Sequence, residues 1–539
     1  MSEPDDPTRR DFLAATAAGT LASLAVSSAE AAGPSEPASK FTLEEASLAS
    51  LARRMQEGTA TAKSLAEAYL ARIAALDRAG PQLRAVIELN PEALAIAEAL
   101  DRERKAGRLR GPLHGIPILV KDNIPSGDRM STTAGSLVLD GRRARADAPV
   151  LKRLRDAGVV LLGKTNLSEW ANFRSTNSLS GWSSRGGQTR NPYALERSPS
   201  GSSSGSAVAV AANLCAAAIG TETDGSIVSP SSCNNIVGFK PSIGLVSRTG
   251  IIPIAHSQDT AGPMARSVAD CALLMNAMAA ADREDPSTTQ PNVPRDMDFT
   301  RHLGLADLKG VRIGVARQYF TVNEKVDALL EAALARLREL GAELVDVEIP
   351  GFGKFGAAEL EVLLYEFKAG LNAWLVANAK DAPAATLAQL IEYNEKHRER
   401  MMPLFGQNLL ERAQAKGPLT EPEYVKALET CREMTRKQGI DAVVEKHKVE
   451  AIVAPTTSPP WIMDPVTGDS GRGGSAGLAA VAGYPNLTVP AGFIVPPPPF
   501  KGVAPVGMSF FGPAFSDARI LAIGAAFERA TRHRRAPSL

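Results

Sequence analysis

Ile116-Pro117-Ile118-Leu119-Val120-Lys121-Asp122-Asn123 decides the fold class. Five apolar residues run without the alternation of a half-solvated strand, and Lys121-Asp122 ends them. A short, continuous apolar run of this kind is a strand buried on both faces, as in sheets covered by helices on either side. Val159-Val160-Leu161-Leu162 repeats the pattern, and so do residues 311–315, 344–347, 451–454 and 487–489, with helical segments between them. Strands alternating with helices predict an α/β fold. The strand-like runs continue on both sides of a mostly helical stretch, 357–447. That stretch therefore reads as an insert or cap, and one large domain is expected rather than two.

The rest of the chain agrees with a large globular protein. It has 539 residues, 44% of them hydrophobic and 22% charged, which excludes disorder as the main state. Sixty Lys and Arg against 59 Asp and Glu give a net charge of +1, so no basic footprint points to nucleic acid. Cys215, Cys233, Cys271 and Cys431 are widely spaced with no CxxC pair, so neither a zinc site nor a disulfide framework is expected. Thr42 and Glu45 read as a capping box for a helix carrying Leu48, Leu51 and Met55 and ending at Gly58. A second helix carries Leu65, Tyr69, Ile73 and Leu76. A third starts at Asn90-Pro91 and stops at Gly107. Residues 283–303 and the Pro-rich run from Val495 to Pro499 read as loops.

The first thirty residues read as a targeting segment. Arg9-Arg10 precedes an apolar stretch from Leu13 to about Val26, and Ala29-Glu30-Ala31 fits a small-residue cleavage site. The expectation is a twin-arginine export signal over 1–31, a linker over 32–40 and the functional domain over 41–535, in a periplasmic or secreted protein. Ala, Ser and Thr dilute the stretch, and it is shorter than the roughly 20 apolar residues of a spanning helix, so no membrane anchor is expected. Cleavage after Ala31 would remove five acidic residues and two arginines, leaving 508 residues at a net charge of +4.

The chemistry sits between Ser198 and Ser242. Two Gly/Ser loops, 201–206 and 221–226, flank an Ala/Val-rich segment read as a helix, and Pro230 suits the start of another. Small residues let a substrate approach the backbone, and helix starts turn amide hydrogens toward a shared point. Gly201-Ser202-Ser203-Ser204-Gly205 matches the G-x-S-x-G elbow around Ser203, but that elbow must follow a buried strand. Residues 190–199 cannot form one, and His256, His302, His397, His447 and His533 include no convincing partner, so the match is read as accidental. Lys121 is the better base. At the end of a buried strand its amine is held from water, and a fall of about three units from ~10.4 costs about 4 kcal/mol, which the site must offset.

These residues resemble the amidase signature family. The resemblance is carried by Gly115–Asn123, by Gly163-Lys164-Thr165-Asn166-Leu167-Ser168-Glu169, by the stretch 201–241, by Gly262-Pro263-Met264-Ala265-Arg266, and by Ala482-Gly483-Tyr484-Pro485 and Pro505-Val506-Gly507; it spans roughly 41–530. It implies a single α/β/α domain around a mixed, twisted sheet covered by helices. It also implies a Ser–Ser–Lys triad that hydrolyses amides: Ser226 as nucleophile, Ser202 as the bridging serine 24 residues earlier, and Lys121 as base. A cis peptide bond is implied at Gly201–Ser202. The backbone of Thr223, Asp224, Gly225 and Ser226 would hold the oxyanion, and Ser203 would face the substrate. Neither metal nor cofactor is implied. Many members carry a glycine and an arginine where this chain has Asp224 and Val228, and this variant resembles the peptide amidase branch. The expected function is an exported amidase acting on a carboxamide, the C-terminal amide of peptides. The partner would be a small-molecule or peptide amide, the protein a monomer or homodimer. The alternatives are a glutamyl-tRNA amidotransferase A subunit and a non-catalytic binding relative.

Overall fold

The computed structural model describes residues 42–320, 324–471, 473–498 and 501–539. The expected export signal and linker lie outside the described residues. The described chain begins with three helices, α1 (Leu48–Gln56), α2 (Ala62–Ile73) and α3 (Ala93–Lys105). Leu65, Tyr69 and Ile73 are buried as their helical spacing predicts. The capping box is corrected: Ser47, not Thr42, caps α1, its side chain accepting from the Ser50 amide. Glu45 has a φ of 56° and its amide donates to Asn213 Oδ1, so 42–45 is a turn tied to the core rather than a first helical turn.

Thirteen strands are described: β1 (Val86–Leu89), β2 (Pro117–Lys121), β3 (Val160–Thr165), β4 (Trp182–Ser183), β5 (Gly187–Gln188), β6 (Ala217–Glu222), β7 (Val237–Lys240), β8 (Thr260–Ala265), β9 (Arg312–Ala316), β10 (Glu343–Val347), β11 (Ala451–Pro455), β12 (Asn486–Ile494) and β13 (Ala504–Phe511). β4 and β5 form a small hairpin, and the other eleven make one mixed sheet in the order β1-β3-β2-β6-β8-β7-β12-β13-β11-β9-β10. β3, β2 and β6 run parallel at one end, and β11, β9 and β10 at the other. Between them β8, β7, β12 and β13 run antiparallel to their neighbours. The six apolar runs of the sequence are β2, β3, β9, β10, β11 and β12.

The Ala-rich segment between the two Gly/Ser loops is a correction, being a short helix followed by a strand. Asn213, at a φ of 57°, breaks the chain after the helix, and Ala217 to Ile219 pair with β2. Gly220 is tightly enclosed, since a Cβ would come within 2.7 Å of Met264 Sδ and 2.8 Å of Ser203 Oγ.

The sheet is surrounded by α4 (Pro149–Asp156), α5 (Ser204–Ala211), α6 (Val228–Cys233), α7 (Val268–Met278), α8 (Glu324–Glu339), α9 (Gly356–Asn378), α10 (Leu387–Lys396), α11 (Arg398–Met401), α12 (Asn408–Gln414), α13 (Pro422–Arg432), α14 (Asp441–His447), α15 (Ala476–Ala482) and α16 (Asp517–Thr531). Helices α9 to α14 occupy the stretch 357–447, read from the sequence as an insert or cap. Phe367, Leu371 and Leu375 of α9 pack in one cluster with Trp170, Phe173, Ile252 and Ile254 from loops of the sheet body. Each fully buried Leu or Phe contributes about 1.5–3 kcal/mol, so the cap shares the core of the body instead of hinging on it. Residues Leu43–Leu539 form one compact unit.

Among the described residues no helix is long and apolar enough to cross a membrane, and no cluster of His, Cys, Asp or Glu could hold a metal ion. All four cysteines are buried free thiols.

Candidate active site

Strand β2 carries Lys121 into the interior at its C-terminal end, with no solvent exposure. Its Nζ lies 2.7 Å from Ser202 Oγ, 2.9 Å from Thr221 Oγ1 and 3.1 Å from Thr221 O. Burial pulls its pKa down to about 7, while Asp259 and Glu222 act in the opposite direction. Three neighbours suit a neutral amine: two N–H donors for the two Thr221 oxygens, and one lone pair to accept the Ser202 hydroxyl proton. Asn123 Nδ2 donates to the same Thr221 Oγ1 at 2.9 Å, fixing that side chain beside the amine.

Ser202 follows the cis Gly201–Ser202 peptide. Gly201 is pressed against Ser168, whose Oγ would lie 2.3 Å from a Cβ, so the loop closes only with glycine. The carbonyl of Ser202 accepts from the Ser168 amide at 3.1 Å. The next amide, that of Ser203, donates to Ser226 O at 3.1 Å. The two Gly/Ser loops are thus joined residue to residue. Lys121 and Ser202 touch directly, and Ser226 is held against the residue that follows Ser202.

Ser203 is a correction. Its hydroxyl is fully buried, donating to Thr221 O at 3.0 Å and accepting from the Thr221 amide at 3.2 Å. It clamps the start of the 221–226 loop and is buried away from the cavity. Nor is it an elbow serine, since the chain before it is irregular, not a strand.

The loop from Thr223 to Ser226 turns at Gly225, where φ is 73°. Glu222 Oε2 accepts from the amides of Ile227 at 2.7 Å and Val228 at 3.0 Å, closing the start of α6. The Gly225 amide lies near the same carboxylate and helps offset the rise that burial imposes on it. Among the described residues, no hydrogen bond takes the amides of Thr223, Asp224 or Ser226. Thr223 is fixed at both ends, its Oγ1 donating to Asp259 Oδ1 at 2.5 Å and its carbonyl accepting from Gln258 Nε2 at 3.2 Å. Burial pushes Asp259 up to about 6. A cavity of about 260 Å³ opens alongside, lined by Asn123, Thr221, Thr223, Asp259 and the apolar residues 251–254.

Thr221, Asn123, Gln258 and Asp259 are site residues that sequence reasoning missed. Thr221 and Asn123 lie inside quoted motifs and could have been found there. Gln258 and Asp259 lie in an irregular stretch before β8 with no local signal.

The amidase family profile matches residues 64–521. The chain is a member of the amidase signature family. It is 40% identical to a probable amidase of Arabidopsis thaliana over 508 residues, 93% of this chain and 92% of that protein. The native peptide amidase of Stenotrophomonas maltophilia is 52% identical in sequence and superposes with a TM-score of 0.86, over 93% of this chain and 99% of that one. The A subunit of the glutamyl-tRNA(Gln) amidotransferase of Pseudomonas syringae is 35% identical over 92% of this chain and 99% of its own. The chain is therefore an amidase, a hydrolase acting on amide C–N bonds, and its eleven-stranded mixed sheet is the fold of its family neighbours.

Proposed function

We propose that this amidase is exported by the twin-arginine route and removes the C-terminal carboxamide of peptides through an acyl-Ser226 intermediate. Lys121 in its neutral form draws the proton of Ser202 Oγ, and Ser202 draws that of Ser226 Oγ as it attacks the amide carbonyl carbon. The amides of Thr223, Asp224 and Ser226 hold the developing oxyanion. When the C–N bond breaks, the proton returns through Ser202 to the leaving nitrogen, which departs as ammonia. Water then attacks the ester by the same relay and releases the carboxylic acid. No cofactor enters these steps.

The observation that carries this reading is the fully buried Lys121 with one lone pair and one serine hydroxyl to accept from. The peptide substrate is supported by the likeness to the Stenotrophomonas peptide amidase and by the acidic variant at Asp224. Assaying ammonia release from peptide amides tests it. Turnover of the isolated chain without tRNA or further subunits is expected. No release from any amide, or release only with a tRNA-bound partner, would reject the reading.

A further inference from the structure

The first turn of α9 carries Glu359 out of the cap and down onto the nucleophile loop, where it is buried. Its Oε1 accepts from Gln258 Nε2 at 3.0 Å, and the same nitrogen donates to Thr223 O. The Glu359 carboxyl is also hydrogen-bonded to that of Asp224. Two carboxylates share a hydrogen bond only if one proton lies between them. The pair therefore carries one proton and one negative charge. Both sides of the Thr223–Asp224 unit are tied in this way to the cap, one through the Thr223 carbonyl and one through the Asp224 side chain. No catalytic motif includes Glu359, and the tie depends on Asp224, where many family members have glycine.

We propose that Glu359 is a positioning residue of the reaction: through the shared proton and through Gln258 it holds the amides of Thr223 and Asp224 in register for the oxyanion. The inference rests on the Ser226 mechanism proposed above. It makes activity fall in alkali, where removal of the shared proton puts two negative charges against each other and opens the tie. Burial and Asp224 hold the Glu359 carboxyl well above the ordinary carboxylate range. The protein packed around Asp224, together with Glu222, pushes its own carboxyl up as well, although part of that side chain is open to solvent. The other groups facing the pair are Glu222, Lys240 and Tyr319 around Asp224, and Cys431 of α13 beside Glu359. Burial pulls Lys240 down to about 8, so it too changes charge in alkali, and the test must separate it from Glu359.

The test is the rate of Ser226 labelling by a fluorophosphonate across neutral and alkaline pH, alongside kcat and KM for a peptide amide. Glu359→Gln keeps an acceptor for Gln258 and a donor for Asp224 without a titrating proton. It should label within about threefold of the wild-type rate at neutral pH and lose the alkaline fall. Glu359→Ala should label at least about tenfold more slowly, with the loss in kcat and little change in KM. Circular dichroism should show both folded; if Glu359→Ala does not fold, Glu359→Gln alone decides. A wild-type alkaline fall retained in Glu359→Gln assigns the fall to Lys240 and overturns the inference, as does wild-type labelling by folded Glu359→Ala. Failure of the wild type to label at Ser226 would instead overturn the mechanism beneath it.

Discussion

Three serines stand around the site, and their surroundings give them different work. Ser202 faces a buried amine, Ser203 closes on the Thr221 backbone, and Ser226 follows a left-handed glycine on the loop with free amides. Ser226→Ala should abolish ammonia release and fluorophosphonate labelling. Ser203→Ala should stay labelled at Ser226 and lose about 1–3 kcal/mol of stability in urea, because it leaves the Thr221 amide buried without its side-chain partner. Labelling that moves to Ser203 would contradict the assignment. At this scale the sequence is highly legible, since Lys121, Ser202 and Ser226 lie in ordered motifs. What it hides is contact between distant segments. Gln258 and Glu359 reach Thr223 and Asp224 only through tertiary folding, and nothing in their own neighbourhoods marks them.

Strands are legible where both faces are apolar and the run is made of Val, Ile and Leu, as in β2, β3 and β11. β6 and β8 are missed because they are built mostly from Ala, Gly, Thr and Pro, which carry no strand period, and β7 because Val237-Gly238-Phe239-Lys240 is only four residues long with a glycine inside it. The structure needs those small residues. β6 is pressed between Ser203 and Met264 at Gly220, and β8 lies against Phe239 O at Gly262, where a Cβ would come within 2.2 Å. Crowding beside the nucleophile loop thus removes the pattern by which a strand is recognised. Gly220→Ala should cost about 1–3 kcal/mol by overpacking, measured by urea unfolding, and should slow turnover because the added methyl displaces the Ser203 clamp. Unchanged stability with full activity would show that the strand has slack.

Across the whole molecule, the cap and the sheet body are locked together by charge as well as by apolar packing. Arg174 is buried, with Nη1 2.6 Å from Glu169 Oε1, and Nη2 donates to the carbonyl of Met401 in α11. Arg174→Met should destabilise the protein by about 3–5 kcal/mol in urea, because Glu169 is left as an uncompensated buried charge, and adding Glu169→Gln should recover part of the loss. An unaffected single variant would show that the lock is apolar alone. Targeting belongs to this scale too. Replacing Arg9 and Arg10 by lysine should leave the protein in the cytoplasm by fractionation, and normal export of that variant would reject the twin-arginine reading.

All of these scales meet in the charge of one amine, which the fold strips of water so that it can accept a proton. The most direct measurement is kcat/KM for a peptide amide against pH, for the wild type and for Lys121→Arg. Lys121 has its pKa lowered to about 7, so its neutral, proton-accepting form grows as pH rises through that value. The wild type should therefore rise along an acid limb with its midpoint near 7, far below the ~10.4 of a solvated lysine. Lys121→Arg should be inactive throughout, since guanidinium keeps its proton over this range. Substantial activity in Lys121→Arg, or a wild-type profile without a limb near neutrality, would contradict the account.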